Sequence, residues 1–219
     1  MPTAHARPEP WKPPTPPPSR LETQRLVIRP YEESDAPALF SAIDATRSVL
    51  LPWIPWAADQ HRNVQDSLQT IRRFAAARAD CTNHEHNSTV GFAVGAFDRA
   101  TGALVAGTGF NRIDFPAHEA ETGYWVRIDQ QRRGIATEIT AAMLAWAFTP
   151  QHQGGWGFRR VRIYAAADNT VSCAIPRKLG LREECRIVKH RWTDGLGWTD
   201  TIGWGVLAEE WPTIARAPK

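Results

Sequence analysis

The chain has few of the features that assign a protein quickly. Its three cysteines, Cys81, Cys173 and Cys185, are odd in number and widely spaced. That excludes a disulfide framework and paired-thiolate metal spacing, and a reducing, cytoplasmic setting is expected. No apolar run approaches the length of a membrane span. The N-terminus lacks the apolar core of a signal peptide. Charge of one sign is not in excess: 26 Lys and Arg against 23 Asp and Glu leave a net charge of +3, with a pI near 9.0. Such mild basicity suits an anionic cofactor and does not point to nucleic acid. Two phosphate motifs are missing as well. There is no Gly-x-x-x-x-Gly-Lys-Ser/Thr loop and no Gly-x-Gly-x-x-Gly after a first strand.

Proline is plentiful but uneven. Eight of the 17 prolines fall between Pro2 and Pro18, almost without aliphatic residues. Residues 1–20 are expected to be a disordered, polyproline-like tail, dispensable for stability and catalysis. A single domain is expected over 21–210, with a C-terminal tail over 211–219. Ten tryptophans are many for 219 residues. Several fall in loops or near strand ends, where aromatic rings often line pockets.

The patterning between these tails alternates strand and helix. Arg25 to Arg29 reads as a strand, and acids at Glu32, Glu33 and Asp35 open a helix that continues through Ala38 to Ile43. Leu50 to Trp56 is a stiff aromatic loop. Asn63 caps a long helix with Val64, Leu68, Ile71 and Phe74/Ala75 along one face. Strands are expected at 88–97 and 103–111, joined by a hairpin, then at 119–128. Ile135, Ile139, Ala142/Met143 and Trp146 form the buried stripe of the next helix. A strand at 160–164 precedes a short helix, Asn169 to Leu179, that ends at Gly180. Strands at 181–192 and 198–207 close the domain. The order implies one α+β domain around a mixed sheet.

Gln131-Arg132-Arg133-Gly134-Ile135-Ala136 lies between the 119–128 strand and the helix after it. The first N–H groups of a helix lack intrahelical partners, and the helix dipole adds positive charge there. A phosphate satisfies both. Gly134 admits a close ligand, and Arg132 and Arg133 add charge. Taken alone, the hexapeptide is equally an ordinary strand-to-helix turn.

Other motifs stand with it. The hexapeptide resembles the acyl-CoA pyrophosphate loop of the GNAT superfamily of N-acetyltransferases. Asp168-Asn169-Thr170-Val171-Ser172 followed by Arg177-Lys178-Leu179-Gly180-Leu181 is similar to that superfamily's last-helix segment. Leu21 to Arg29, Leu51-Pro52-Trp53, Phe110 to Ile113 and Glu121 to Val126 resemble the branch that acetylates ribosomal-protein N-termini, the RimJ/RimL type. The resemblance covers about residues 21–207. It implies a mostly antiparallel mixed sheet that splays between two parallel strands, here those at 119–128 and 160–164, flanked by helices. It implies acetyl-CoA as co-substrate, with its pantetheine arm on Val126 and Ile128 and its pyrophosphate on Gln131, Arg132, Arg133, Gly134, Ile135, Ala136 and Thr137. Asn169 is placed to bond the pantetheine arm.

Aminolysis of a thioester needs a proton acceptor for the amine, a donor for the tetrahedral oxygen and a proton or stabilising group for the thiolate. Glu121 is the candidate base, or else a solvated acid paired with Arg112 or Arg127. The Val126 N–H stands at the family's oxyanion position. Ser172 is the candidate acid, or else a second helix cap. At the position near Arg191 the ribosomal serine acetyltransferases carry a glutamate; here His190 and Arg191 stand instead. The resemblance therefore carries acetyl transfer over more firmly than the ribosomal acceptor. Trp53, Trp56, Asn111 and Tyr124 are the candidate acceptor-binding residues. His84, Glu85 and His86 with Cys81 sit in a polar loop, and no metal is expected. The expected activity is direct acetyl transfer from acetyl-CoA to a primary amine, first a peptide or protein N-terminus, second a small amine, amino acid or antibiotic. A non-catalytic acyl-CoA sensor is a third possibility.

Overall fold

The computed structural model describes residues 9, 11–14, 17–80 and 88–216, with side chains given for all of these except 80, 88–90 and 214–216. The expected loop with Cys81, His84, Glu85 and His86 lies outside the described residues. Among those described, no group of three or more potential ligands could hold a metal, and no helix is long and apolar enough to cross a membrane.

Eight strands form one sheet. They are β1 (Leu21–Glu22), β2 (Leu26–Arg29), β3 (Ser88–Asp98), β4 (Leu104–Asp114), β5 (Glu119–Val126), β6 (Arg160–Ala166), β7 (Arg182–Thr193) and β8 (Gly197–Leu207). Their spatial order is β1-β2-β3-β4-β5-β6-β8-β7. Every pairing is antiparallel except β5 with β6. The helices are α1 (Ala36–Leu50), α2 (Val64–Asp80), α3 (Ile135–Phe148), α4 (Thr170–Lys178) and α5 (Trp211–Arg216). A strand has two faces because successive side chains alternate, and the sheet uses both. One apolar cluster joins α1 and α2 to Phe97, Leu104 and Trp125. The larger cluster joins α3 and α4 to Phe92, Val94, Phe110 and Ile163 on the opposite face.

The local signals act as expected at several points. Asn63 Oδ1 accepts the Asp66 N–H at 2.8 Å and starts α2. Ile135, Ile139, Met143 and Trp146 are buried along α3. Gly180 follows α4 with φ 76°. In α2 the buried side is carried by Ser67, Thr70 and Ile71, with Leu68 and Phe74 packed against the cluster. Val64, in the first turn, is exposed.

The expected proline-rich tail is corrected at Trp11. This residue is only 4% exposed. Its Nε1–H donates to the Trp156 carbonyl at 2.9 Å, its N–H donates to the Phe115 carbonyl, and its ring stacks 4.5 Å from Phe158. One large ring supplies burial that the surrounding prolines do not. Arg78 adds a second tether, donating to the Pro17 and Pro18 carbonyls. At the other end, Trp211 of α5 is buried in the larger cluster. Half of the ten tryptophans therefore serve the core rather than a pocket: Trp146, Trp156 and Trp204 are buried too.

Candidate active site

The parallel pair is short. β5 and β6 are in register only at Glu119↔Arg160, Ala120↔Val161 and Glu121↔Arg162. Beyond Glu121 the two strands part, while each keeps its outer neighbour, β5 to Val126 on β4 and β6 to Ala166 on β8. The Arg127 N–H donates to the Val105 carbonyl on β4 at 2.9 Å. Backbone direction alternates along an antiparallel ladder, so Val126, Tyr124 and Thr122 turn theirs toward β6 and the gap. The result is a V-shaped crevice with polar backbone along one wall and Glu121 at its vertex.

The strand ends at Val126 rather than at Ile128, which begins a 3-10 turn. The Ile128 N–H is committed to Thr46 Oγ1 at 3.1 Å, so it does not offer a strand-like donor to the gap. The Val126 carbonyl accepts Gln131 Nε2 at 3.1 Å, leaving the Val126 N–H facing the crevice. The loop from Gln131 then bends twice through left-handed backbone, at Arg132 (φ 60°) and Gly134 (φ 79°). Successive N–H groups in such a turn make a concave anion receptor, and α3 starts immediately behind it. Glu138 in the first turn of α3 is held by Thr23 Oγ1 at 2.5 Å and by Arg25 at 2.6 Å. Arg25 also donates to the Arg133 carbonyl. The loop is thus pinned to the first strands of the sheet, and Arg132 and Arg133 remain exposed.

On the α4 side of the gap, Asn169 is the helix cap. Its Oδ1 accepts the Ser172 N–H at 3.1 Å. Tyr124 Oη donates to the Ser172 carbonyl at 3.1 Å, bridging β5 to α4. Burial pushes its phenol up to about 12, so it stays protonated. Tyr124 therefore lies on the face opposite Asn111 and Trp56, not among them.

The α1/α2 face carries the other candidates. Glu121 stands in one row between Arg112 on β4 and Arg162 on β6. Burial raises its carboxyl above the ordinary range; Arg162, Arg112, Arg191 and an Asn111 hydrogen bond pull it back without cancelling that effect. Asn111 is the extra residue of a β4 bulge, and its side chain fills the space over Gly123. Trp56 packs half-buried into the same cluster as Trp125. The loop carrying Trp56 is held by Arg47, whose guanidinium donates to the Ala57, Gln60 and His61 carbonyls. Sequence reasoning missed Arg47, because an arginine inside a helix carries no local signal of the carbonyls it will meet. Trp53 is half-buried in the turn after α1, and His190 is engaged with Thr201 Oγ1 at 3.0 Å. A separate cavity of about 420 Å³ lies between α1 and Arg127–Asp129, and neither Glu121, Ser172 nor Val126 lines it.

A sheet opened between two parallel strands, with a left-handed loop and a helix N-terminus beside the opening, defines a class of acyl-CoA-dependent transferases. Residues 25–182 match the acetyltransferase (GNAT) domain, and the chain belongs to that family. It is an acyltransferase of the N-acetyltransferase type. Among relatives, YdaF of Bacillus subtilis (strain 168) is 27% identical over 193 residues, 86% of this chain and 94% of YdaF. YoaA of the same organism, described as an uncharacterized N-acetyltransferase, is 23% identical over 178 residues, 80% of this chain and 89% of YoaA. Similar solved folds include RimL, a ribosomal L7/L12 α-N-protein acetyltransferase in complex with coenzyme A. It has a TM-score of 0.74 and 17% identity, covering 86% of this chain and 98% of RimL. Mycobacterium smegmatis RimJ in complex with CoA-disulfide also scores 0.74, at 23% identity and 92% of each chain.

Proposed function

We propose that the protein transfers an acetyl group directly from acetyl-CoA to a primary amine, and that the amine is the N-terminal α-amine of a peptide or protein. The observation that carries this reading is the loss of β5–β6 pairing after Glu121↔Arg162, with a half-buried carboxyl at the vertex. The pantetheine amides take the place of the missing ladder partners, on Val126 and Asn169. The Asn169 Nδ2 is available to a carbonyl, since its Oδ1 is used by the cap. The pyrophosphate takes the N–H groups around Gly134, Ile135, Ala136 and Thr137.

Chemistry then runs through the gap. The amine approaches from the α1/α2 face, along Trp53, Trp56 and Asn111. Glu121, with its raised pKa, accepts the amine proton more readily than an ordinary glutamate. The Val126 N–H donates to the tetrahedral oxygen. On the α4 side, Ser172 supplies a hydroxyl proton to the departing thiolate and takes one back from solvent, to which Glu121 releases the amine proton. The acceptor class is drawn from the RimL-type neighbour, whose name states a protein α-amine.

The test is thiol release from acetyl-CoA across N-terminal peptides and small amines. Turnover with peptides supports the reading, and turnover only with small amines moves the acceptor to that class. Tight acetyl-CoA binding with no turnover on any amine would make the protein a sensor.

A further inference from the structure

Around Glu121 the structure has more positive charge than its own acids use. Arg112, Glu121 and Arg162 lie in one cross-strand row on one face. Arg191 comes from β7, opposite Thr199, and acts electrostatically on the same carboxyl. Arg162 is shared with Glu119 and donates to Tyr164 Oη at 2.9 Å. Glu119 is itself shared with Arg160 at 2.7 Å. Among the described residues, neither Arg112 nor Arg191 forms an ion pair with any carboxylate within bridging distance. The Nε–H groups of Arg162 and Arg191 are buried without a hydrogen-bond partner. Three guanidinium groups thus act on the Glu121 carboxylate, which bonds to Asn111 and forms no ion pair among the described residues.

Such a site disfavours a plain amine. In solution the amine is a cation, and the surplus guanidinium charge repels it. A molecule that carries a carboxylate close to its amine reverses the sign. Guanidinium groups bind carboxylates through paired, charge-assisted hydrogen bonds, and that contact would set the amine against Glu121.

We infer that the acceptor bears a carboxylate next to its reactive amine, held by Arg112, Arg162 and Arg191 around the β5–β6 vertex. This deepens the proposed acyl transfer and rests on it. The carboxylate has two possible sources: the α-carboxylate of a free amino acid, or an acidic side chain at the first residue of a peptide.

The experiment uses the full chain and matched pairs: alanine against alaninamide, and amidated Asp-Ala-Ala-Ala against amidated Asn-Ala-Ala-Ala. The carboxylate member of at least one pair should show a kcat/KM about ten- to a hundredfold higher, as loss of a charged hydrogen bond implies. The pair that shows it names the source. Arg191→Met should erase the difference by raising KM for the carboxylate member, with acetyl-CoA KM unchanged. Arg112→Gln, an exposed strand position, serves if Arg191→Met fails to fold. Equal or inverted preference in both pairs would overturn the inference while leaving acyl transfer standing. Carboxylate-selective binding by calorimetry without turnover would keep the receptor and remove the reaction. Neither binding preference nor turnover would overturn both.

Discussion

The two faces of the splayed sheet are built by different means. On the α3/α4 side the proposed acetyl-CoA contacts are mostly backbone: an unpaired strand edge at Val126, left-handed bends at Arg132 and Gly134, and the first turn of α3. On the α1/α2 side the contacts are side chains: Glu121 among arginines, Asn111 on a bulge and Trp56 on a loop tied by Arg47. Backbone receptors depend on where strands and helices start and stop. Side-chain receptors depend on which residue occupies each position. The first can stay constant while the second varies, which separates the cofactor from the acceptor in one fold.

The largest expected effect breaks the acceptor side alone. Glu121→Gln should lower kcat/KM by about 10²–10⁴-fold, the usual contribution of a positioned base, and move the acidic limb of the pH–rate profile upward. Acetyl-CoA affinity should not change. Because burial raises the Glu121 pKa, the wild-type acidic limb should lie above the ordinary carboxylate range. An unaltered rate and limb in the variant would pass the base role to water or His190. Ser172→Ala, on the other side, should lower kcat only, at or below the low end of that range.

Next in size is the core beneath the α3/α4 face. Trp11→Ala should cost about 3–5 kcal/mol, as deletion of a buried tryptophan does, read as a lower denaturant midpoint. A shift under about 1 kcal/mol would restore the view of residues 1–20 as dispensable.

The acceptor loop comes third. Arg47→Ala leaves three carbonyls without their donor. A stability loss of about 1–3 kcal/mol is expected, with a raised acceptor KM and an unchanged acetyl-CoA affinity. A rise in both constants would mean that the faces are coupled.

The smallest effect at neutral pH concerns His61 in the same loop. Burial, then Arg47 and Arg73, lowers its pKa from 6.5 to about 4, and Nδ1 pairs with Ser67 Oγ at 2.9 Å. The unfolded chain binds a proton below pH 6.5 that the fold excludes. The stability it contributes is therefore full above that pH and is lost as pH falls toward 4. His61→Gln should flatten the melting temperature between pH 7 and 4, and an identical slope would contradict this.

The difference between the faces also explains what could be read from the sequence. Gly134, Asn169 and Gly180 mark chain geometry, and caps and left-handed turns leave short local signatures. Apart from β1 and α5, which were not expected, the strand and helix order followed from residue patterning, with β5 ending two residues early as Ile128 turns to reach Thr46. Trp11, Arg47 and the Arg112–Glu121–Arg162 row act over long range. Trp11 meets Trp156 across 145 positions, and no periodicity announces such a contact. Tyr124 was expected to bind the acceptor together with Asn111 and Trp56, and strand alternation turns its side chain to α4, away from both.

The central claim is that acetyl-CoA binds through backbone around Gly134, independently of the acceptor chemistry. It is tested most directly by calorimetry of acetyl-CoA on Gly134→Val, with far-UV circular dichroism to verify the fold. At φ 79° a branched side chain opposes the left-handed bend and obstructs the ligand. Affinity should fall by at least about tenfold, the loss of one charged hydrogen bond, while Glu121→Gln binds as wild type does. A folded Gly134→Val protein that binds acetyl-CoA with unchanged affinity would contradict the account.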